Sequence, residues 1–146
     1  MKIETTRFGA VEVEQEDVLD FPGGLLGLED CRQWVLLADA ENDALGWLQC
    51  AGRAEYAFAV VCPRRFVPEY QVRVSRGELT PLLLTDVQDA QVLAIVGKSQ
   101  HGITLNLKAP VVINLERRLG RQVITNGDMP VAYELTRQPA PLRKSA

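Results

Sequence analysis

The sequence is poor in the residues that most often build metal sites and reaction centres. Its 146 residues include one histidine, His101, and three cysteines, Cys31, Cys50 and Cys62. Structural and catalytic zinc sites draw on clustered cysteine and histidine ligands, so this composition predicts neither a metal nor a cofactor. The odd number and wide spacing of the cysteines are typical of reduced, packed thiols in a cytoplasmic protein.

Long apolar runs are also absent. None approaches the ~20 residues that a membrane-spanning helix needs, and the first residues lack the apolar segment of a secretion signal. We therefore expect a cytoplasmic, monomeric protein that is not associated with a membrane. A hydrophobic content of 47% over this length fits one globular domain, which we place at residues 1–137. The proline-rich, basic residues 138–146 are expected to form a flexible tail.

The usual signatures of catalysis are missing. A nucleophile needs a base within hydrogen-bonding reach, and the closeness of Ser99 to His101 in sequence does not establish that geometry. Gly23, Gly24 and Gly27 lack the spacing and the Lys-Ser/Thr of a phosphate-binding loop. The sequence predicts no enzyme. A small hydrolase or isomerase on a barrel scaffold stays an alternative that requires a pocket with a strongly shifted acid–base pair.

Charge is unevenly distributed along the chain. Residues 1–43 hold eleven acidic side chains against Lys2, Arg7 and Arg32, a net charge of −8, which leaves +5 for the other residues within the total of −3. Such asymmetry can steer a basic partner to one side of a protein. Alternatively, the two regions fold side by side and cancel in space. Direct nucleic-acid binding is disfavoured because the balance is not basic.

Short strand-like segments separated by turn residues dominate the chain. The predicted strands are 2–7, 10–14, 17–21, 34–37, 45–50, 56–62, 70–74, 92–97 and 103–107. Helical turns are expected only at 29–33 and 78–83. This spacing predicts a mainly β protein, a small antiparallel β-barrel-like fold with one or two short helices.

Residues 106–115 are the most informative stretch and precede a second strand-like run at 121–124. Pro110 has no amide donor and is typical of a strand start or an edge strand. Residues 117–120 supply the reversal, with Gly120 expected to take a positive φ. The pattern predicts an edge hairpin.

Three groups of residues are candidates for partner binding. Asn106 and Asn114 either bond a partner's backbone or brace their own loop. Residues 66–70, which include Glu69 and Tyr70, form either a partner-facing ledge or a cap on the barrel end. Leucines in the glycine-rich segment 21–28 either fold under as a lid or line a groove for an apolar helix. These leucines are Leu25, Leu26 and Leu28.

Short segments also follow one another in a distinctive order over residues 1–126. They are Ile3-Glu4-Thr5-Thr6-Arg7-Phe8-Gly9, Phe21-Pro22-Gly23-Gly24-Leu25-Leu26-Gly27-Leu28, Trp34-Val35-Leu36-Leu37, Trp47-Leu48-Gln49, Ala57-Phe58-Ala59-Val60-Val61, Pro63, Pro68-Glu69-Tyr70, Asn106-Leu107-Lys108-Ala109-Pro110, Val112-Ile113-Asn114 and Gln122-Val123-Ile124. In order and spacing they resemble the bacterial flagellar assembly factor family, FliW. Leu26 departs from the family's usual proline, and residues 62–65 are more basic than expected.

The resemblance implies a non-enzymatic cytoplasmic regulator with a small β-barrel-like fold. Members of the family bind flagellin and also CsrA, an RNA-binding translational regulator. Free flagellin competes for the factor, and export of flagellin releases the factor to bind CsrA, which relieves repression of flagellin translation. A runner-up is an oligonucleotide-binding barrel that acts on RNA directly, which would need a basic face lined with aromatic side chains.

Within this resemblance we assign candidate contacts as hypotheses. Glu69 and Tyr70 are expected to contact CsrA. Asn106, Asn114 and the lid leucines, Leu25, Leu26 and Leu28, are expected to contact flagellin.

Overall fold

The computed structural model describes residues 1–135, so the predicted tail at 138–146 lies outside the described residues. The strands are β1 (Lys2–Thr5), β2 (Gly9–Glu12), β3 (Val18–Asp20), β4 (Gln33–Ala38), β5 (Leu45–Cys50), β6 (Ala57–Val61), β7 (Gln91–Ser99), β8 (Gly102–Leu105), β9 (Val111–Asn114), β10 (Leu119–Gln122) and β11 (Tyr133–Glu134). One short helix, α1 (Arg76–Leu79), lies in the described part of the chain, with 3-10 turns at Gln15–Asp17, Pro63–Arg65, Thr80–Leu82 and Val87–Asp89.

Seven strands close into a barrel, in the order β7-β6-β5-β4-β3-β10-β9. Closure comes from β9, which pairs with β10 on one side and with β7 on the other, placing Val92 opposite Val112. β3 and β10 run parallel, and the other neighbouring pairs of the barrel are antiparallel. The prediction of a mainly β, barrel-like fold is confirmed.

Two smaller pieces are attached to the barrel. β8 and β11 continue the sheet outward from β7, whereas β1 and β2 form a separate hairpin. The hairpin is anchored by the amide of Thr6, which donates to the carbonyl of Ala54 at 2.9 Å. Ile3 and Val13 pack with Val18 and Val35, which buries one face of the hairpin against β3 and β4.

The barrel interior is filled by large apolar side chains. Trp34 and Phe21 are fully buried, and their ring centroids lie 6.4 Å apart in an edge-to-face arrangement. The indole N–H of Trp34 donates to the carbonyl of Cys31 at 2.6 Å, so the polar end of this ring is satisfied inside the core. Leu48 and Ile113 complete the same cluster from opposite walls. Hydrophobic burial therefore supports the whole circumference of the barrel.

The predicted hairpin is present, because β9 pairs antiparallel with β10 across the turn between them. Its predicted edge position is wrong, because β9 also pairs with β7 and so lies inside the sheet. All four residues of β9 are buried, because Val111 and Ile113 face the main core while Val112 and Asn114 are covered by the segment around Leu82. Pro110 lies just before the strand, where it needs no amide donor, and its carbonyl accepts from Val123 at 3.0 Å.

Gly120 does not take the positive φ expected for it. The left-handed residue of this turn is Arg118, with φ 57°. A Cβ at Gly120 would lie 2.3 Å from the ring of Phe21, so glycine is needed here for close approach between β10 and the core.

Two other predicted elements are corrected. Residues 70–74 form no strand, although Val72 and Val74 alternate with exposed neighbours as they pack on the barrel. Residues 70–74 do not pair with a neighbouring strand. The carbonyl of Arg73 accepts a single backbone hydrogen bond, from the amide of Asn126 at 2.6 Å. Residues 29–33 form a turn and enter β4, because Gln33 pairs with Asp20. The second predicted helical region is confirmed as α1 and the turn at Thr80–Leu82.

Candidate functional site

The glycine-rich segment 21–28 folds over one end of the core. Leu25 is buried, Leu28 is partly buried against the main core cluster, and Leu26 is 52% exposed. The amide of Leu28 donates to the carbonyl of Leu25 at 2.8 Å, which closes the segment into a tight turn. Gly24 has φ +64°, and a Cβ there would lie 2.4 Å from the carbonyl oxygen of Leu28. Two of the three leucines are therefore used as a lid, and Leu26 remains accessible.

Leu26 is held in place by a side chain of the barrel wall. Its amide donates to Oε1 of Gln122 at 2.9 Å, and Nε2 of Gln122 donates to the carbonyl of Ala109 at 3.0 Å. Ile124, two residues beyond Gln122, is also 52% exposed. Gln122 thus links the exposed leucine to the chain segment that carries an exposed isoleucine.

Both candidate asparagines bond within the chain. Oδ1 of Asn106 accepts from the amides of Lys108 at 3.1 Å and Ala109 at 3.0 Å. Asn114 is buried, and its Nδ2 donates to the carbonyl of Leu82 at 2.8 Å. Asn106 braces the loop before β9, while Asn114 ties β9 to the turn at Thr80–Leu82. Contact with a partner through either amide stays a prediction.

A groove of about 860 Å³ lies beside Tyr70, between α1, the turn at Pro63–Arg65 and the barrel wall. Its floor is apolar, and three glutamine amides lie among the lining residues. The lining includes Val72, Leu79, Val92 and Val112 together with Gln71, Gln88 and Gln91. Tyr70 itself is 3% exposed and donates its hydroxyl to the carbonyl of Leu107 at 2.7 Å, whereas Glu69 is exposed. Burial raises the pKa of Tyr70 to about 12.

A second cleft, of about 660 Å³, contains functional candidates that the sequence analysis missed. It lies between the β1–β2 turn and the outer face of β5, and Arg7, Phe8, Asp39 and Trp47 line it. The guanidinium carbon of Arg7 lies 3.9 Å from the ring centroid of Trp47. These residues are 40 positions apart in the chain and share no motif, so only the folded structure brings them together.

Potential reactive groups are dispersed. The contact between Ser99 and His101 runs from the backbone amide of His101 to the hydroxyl of Ser99, at 3.1 Å. Cys31 and Cys50 are buried and Cys62 is exposed, all as free thiols, and burial raises the pKa of Cys31. Within residues 1–135, no three metal-ligating side chains converge. No helix in this part of the chain has the length and apolar character needed to cross a membrane.

The acidic N-terminal region is only partly neutralised. Arg117 and Arg118 lie beside Asp20 across a small cavity, and Arg118 donates to the carbonyl of Gln15 at 3.1 Å. Ion pairs within residues 1–135 include Met1–Glu12, Arg53–Glu55 and Arg121–Glu78. None of them involves the exposed carboxylates of Glu4, Glu14, Glu16, Asp43 or Asp17. The hairpin and the turns around it therefore keep a negative surface.

Fold and surfaces together define a small closed β-barrel whose candidate sites are open grooves and exposed apolar side chains. A family model described as FliW protein matches residues 2–135. The chain is 43% identical over 126 residues to the flagellar assembly factor FliW of Bdellovibrio bacteriovorus, covering 85% of this chain and 72% of that protein. It is 34% identical over 127 residues to the FliW of Natranaerobius thermophilus, covering 85% and 84%.

The fold agrees with these sequence comparisons. A crystal structure of the flagellar assembly factor FliW superimposes with a TM-score of 0.85 at 31% identity, covering 92% of this chain and 96% of that one. The chain belongs to the FliW family of flagellar assembly factors.

Proposed function

We propose that the protein binds flagellin and CsrA in the cytoplasm and couples flagellin translation to export, by binding rather than by catalysis. Free flagellin occupies the protein while subunits accumulate. Export of flagellin then releases the protein to sequester CsrA, which relieves repression of flagellin translation. The observation that carries the proposal is membership of a family of flagellar assembly factors by both sequence and fold.

The charge distribution supports a basic regulator as one partner. A protein that binds RNA presents lysine and arginine to phosphates, and the exposed acidic hairpin is complementary to such a surface. Glu69 is exposed next to the buried Tyr70, at the end of the basic turn Pro63–Arg65. We assign Glu69 to the regulator contact, with Tyr70 holding the backbone of this segment in place.

The exposed leucine of the lid supports an apolar helix as the other partner. A helix recognised by its apolar stripe needs accessible aliphatic side chains on a rigid support. Leu26 and Ile124 are each 52% exposed, and Gln122 fixes the position of Leu26. We assign them to flagellin, with Leu25, Leu28, Asn106 and Asn114 supporting the surface from inside.

Affinity purification tests the partner assignment. The tagged protein, captured from a motile culture and examined by mass spectrometry, is expected to bring down flagellin and CsrA. Recovery of neither, with RNA or metabolites instead, would overturn the proposal. A gel shift with the purified protein alone separates it from the RNA-binding alternative, which requires that RNA be bound without another protein.

Charge reversal at Glu69 tests the regulator contact. Glu69→Lys is expected to weaken CsrA binding while flagellin binding is unchanged, because one favourable charge contact becomes repulsive. Glu116→Lys, at another exposed carboxylate, is the charge-matched control. Equal losses in both variants would assign the effect to net charge, and loss of both partners with an unfolded product would make Glu69 structural.

Leu26→Glu tests the flagellin contact. Losing the burial of one leucine side chain is worth about 1.5–3 kcal/mol, so flagellin affinity is expected to fall at least about 10-fold, by calorimetry, while CsrA binding stays unchanged. Ile103→Glu is the control, since Ile103 is also exposed but lies on β8, outside the barrel beyond β7. Unchanged flagellin binding in Leu26→Glu would exclude the lid from the interface.

A further inference from the structure

The cleft around Trp47 has the composition of a site for a positively charged side chain. Aromatic rings and carboxylates line it, and it opens at the surface. We call it the Trp47 cleft; its lining residues are Thr6, Arg7, Phe8, Asp39, Trp47, Ala54, Glu55 and Ala57. Its volume of about 660 Å³ accommodates several side chains of a partner segment.

A cation already occupies the aromatic face. The guanidinium carbon of Arg7 lies 3.9 Å from the ring centroid of Trp47, and the Phe8 ring meets the same indole edge-to-face at 5.6 Å. Cation–aromatic contacts of this kind strengthen as water is excluded from them. Phe8 is 39% exposed, so one wall of this arrangement is accessible from solvent.

Carboxylates complete the cleft. Oδ1 of Asp39 accepts the indole N–H of Trp47 at 3.0 Å, and Oδ2 accepts from the amides of Glu41 and Asn42. The hydrogen bond from the Trp47 indole is the main reason that the pKa of Asp39 lies below its usual value, so this carboxylate is charged at neutral pH. Glu55 lies on the opposite side of the cleft, paired with Arg53 at 3.0 Å.

Arg7 is carried by a turn outside the barrel sheet. Arg7 lies on the turn between β1 and β2, which pair with each other and with no barrel strand. Thr5 closes that turn, since its hydroxyl donates to the carbonyl of Gly9 and accepts from the amide of Phe8, both at 2.8 Å. Arg7 can therefore leave the indole by side-chain rotation while the turn and the carboxylates stay in place.

We propose that the Trp47 cleft binds an arginine or lysine side chain of a basic protein partner, and that Arg7 fills the position of that side chain in the free protein. The inference rests on the proposed function in one respect, that the basic partner is the RNA-binding regulator. It goes beyond that function by naming the anchor site and an internal competitor for it.

The surrounding charge favours a cation over a carboxylate as the incoming group. The hairpin and the turn after β4 belong to residues 1–43, whose net charge is −8. This negative charge repels a carboxylate that approaches Arg7 and attracts an arginine. β6 runs from the cleft at Ala57 to Val61, roughly 13 Å at ~3.3 Å per residue, toward the segment that carries Glu69. One folded partner can span both positions.

Binding of the purified regulator to cleft variants is the main test. In the Arg7→Gln background, where no internal cation occupies the indole, adding Trp47→Ala is expected to weaken binding roughly 3- to 30-fold, the range that corresponds to one cation–aromatic contact. Trp47→Phe keeps an aromatic face and is expected to restore most of the affinity. Asp39→Asn removes the charge and is expected to weaken binding. Its single amide oxygen cannot accept from both Trp47 and the amides of Glu41 and Asn42, so thermal unfolding is measured alongside to separate lost charge from lost structure. Equal affinity of Arg7→Gln and the folded Arg7→Gln/Trp47→Ala double variant would overturn the inference.

Removal of the competitor gives the sharper result. Arg7→Gln is expected to tighten binding, because the partner no longer displaces an internal cation. Arg32→Gln removes the same charge from another exposed position in the acidic region and measures the general field effect. Tightening in Arg7→Gln beyond that of Arg32→Gln supports the inference. Weaker binding in Arg7→Gln would show that Arg7 contacts a carboxylate of the partner. Equal tightening in Arg7→Gln and Arg32→Gln would show that the effect is not specific to the cleft. Either result overturns the inference.

A peptide probe separates failure of this inference from failure of the proposed function. Hexa-arginine peptide is expected to quench the fluorescence of the half-exposed Trp47, with buried Trp34 as a constant background. Quenching that is stronger in Arg7→Gln supports the cleft even if the regulator itself does not bind, a result that would count against the proposed function alone. No quenching in either protein overturns the cleft.

Discussion

At the scale of single residues, Tyr70 shows how a candidate contact can serve the structure instead. Its ring packs in the cluster that joins β6, β7 and β8, and its hydroxyl donates to the carbonyl of Leu107 at 2.7 Å. Tyr70→Phe leaves that buried acceptor without a donor, so the free energy of unfolding is expected to fall by about 1–3 kcal/mol in urea titration. Tyr56→Phe is the control; Tyr56 is half-buried beneath Arg53. Equal stability of wild type and Tyr70→Phe would show that a water molecule replaces the hydroxyl as the donor to Leu107.

The same side chain predicts sensitivity to alkali. Burial raises the pKa of folded Tyr70 from 10.0 to about 12, so the folded state holds this proton more tightly than the unfolded state. The resulting stability is fully present below pH 10 and is lost as pH rises toward 12. Between pH 10 and pH 12, the free energy of unfolding is expected to fall less steeply for Tyr70→Phe than for wild type. Parallel curves would contradict the assignment.

Gly120 offers a steric test. Gly120→Ala places a methyl group 2.3 Å from the Phe21 ring, and overpacking of a core typically costs about 1–3 kcal/mol or more. The midpoint of thermal unfolding is expected to fall, whereas Gly52→Ala, where nothing lies within 4 Å of the added Cβ, is expected to behave like wild type. An unaffected Gly120→Ala would mean that Phe21 has room to shift.

These residues mark a limit of inference from sequence. That Asn114 braces a loop was one of the two predicted alternatives, but its partner Leu82 is 32 positions away and no local rule identifies it. Gly120 was expected to provide the turn geometry. Its actual role, leaving room for the ring of Phe21, depends on a contact across the core that the sequence does not show. Local chemistry can be predicted from the sequence; contacts between distant segments require the fold.

At the scale of elements, the β1–β2 hairpin is expected to open before the barrel does. It pairs with no barrel strand and is held by one apolar face and the bond from Thr6 to Ala54. Amides of β1 and β2 are expected to exchange with deuterium faster than those of β4, β5 and β6, which have neighbours on both sides. Ile3→Ala, which removes the centre of the buried face, should widen the difference. Equal protection would make the hairpin part of the cooperative core.

The element predictions failed where a pattern has two structural meanings. An alternation such as residues 70–74 is typical of a strand, yet an extended segment lying on a barrel buries every second side chain in the same way. The run Val111-Val112-Ile113 suits either an edge or an interior strand, and what makes it interior is β7, from a distant part of the chain. Strand positions were largely predictable; their neighbours were not.

At the scale of the whole molecule, the uneven charge predicts a salt-dependent encounter with the regulator. Exposed carboxylates of the hairpin act over about one Debye length, roughly 10 Å at 0.1 M salt and 3 Å at 1 M. Stopped-flow association with CsrA is expected to slow markedly with added salt, whereas flagellin association through aliphatic side chains should change little. Equal salt dependence for the two partners would remove the electrostatic distinction between them.

The fold class and the family were accessible from sequence because they rest on many weak signals in a fixed order. The Trp47 cleft was not, since it combines a turn residue, a strand residue and a loop carboxylate that no motif links. Surfaces of this kind are the least predictable part of a binding protein, because an exposed position carries few constraints of its own.

The parallel seam between β3 and β10 has a consequence for biosynthesis. Residues 18–20 emerge from the ribosome early but must wait for residues 119–122 before that side of the barrel exists. Until then Phe21 and the lid lack the β10 side of their packing, and chains interrupted before this point should yield insoluble fragments instead of partly active ones. The lid surface around Leu26 is therefore completed only after Gln122 has been synthesised, whereas the residues of the Trp47 cleft are all present once Ala57 has been added.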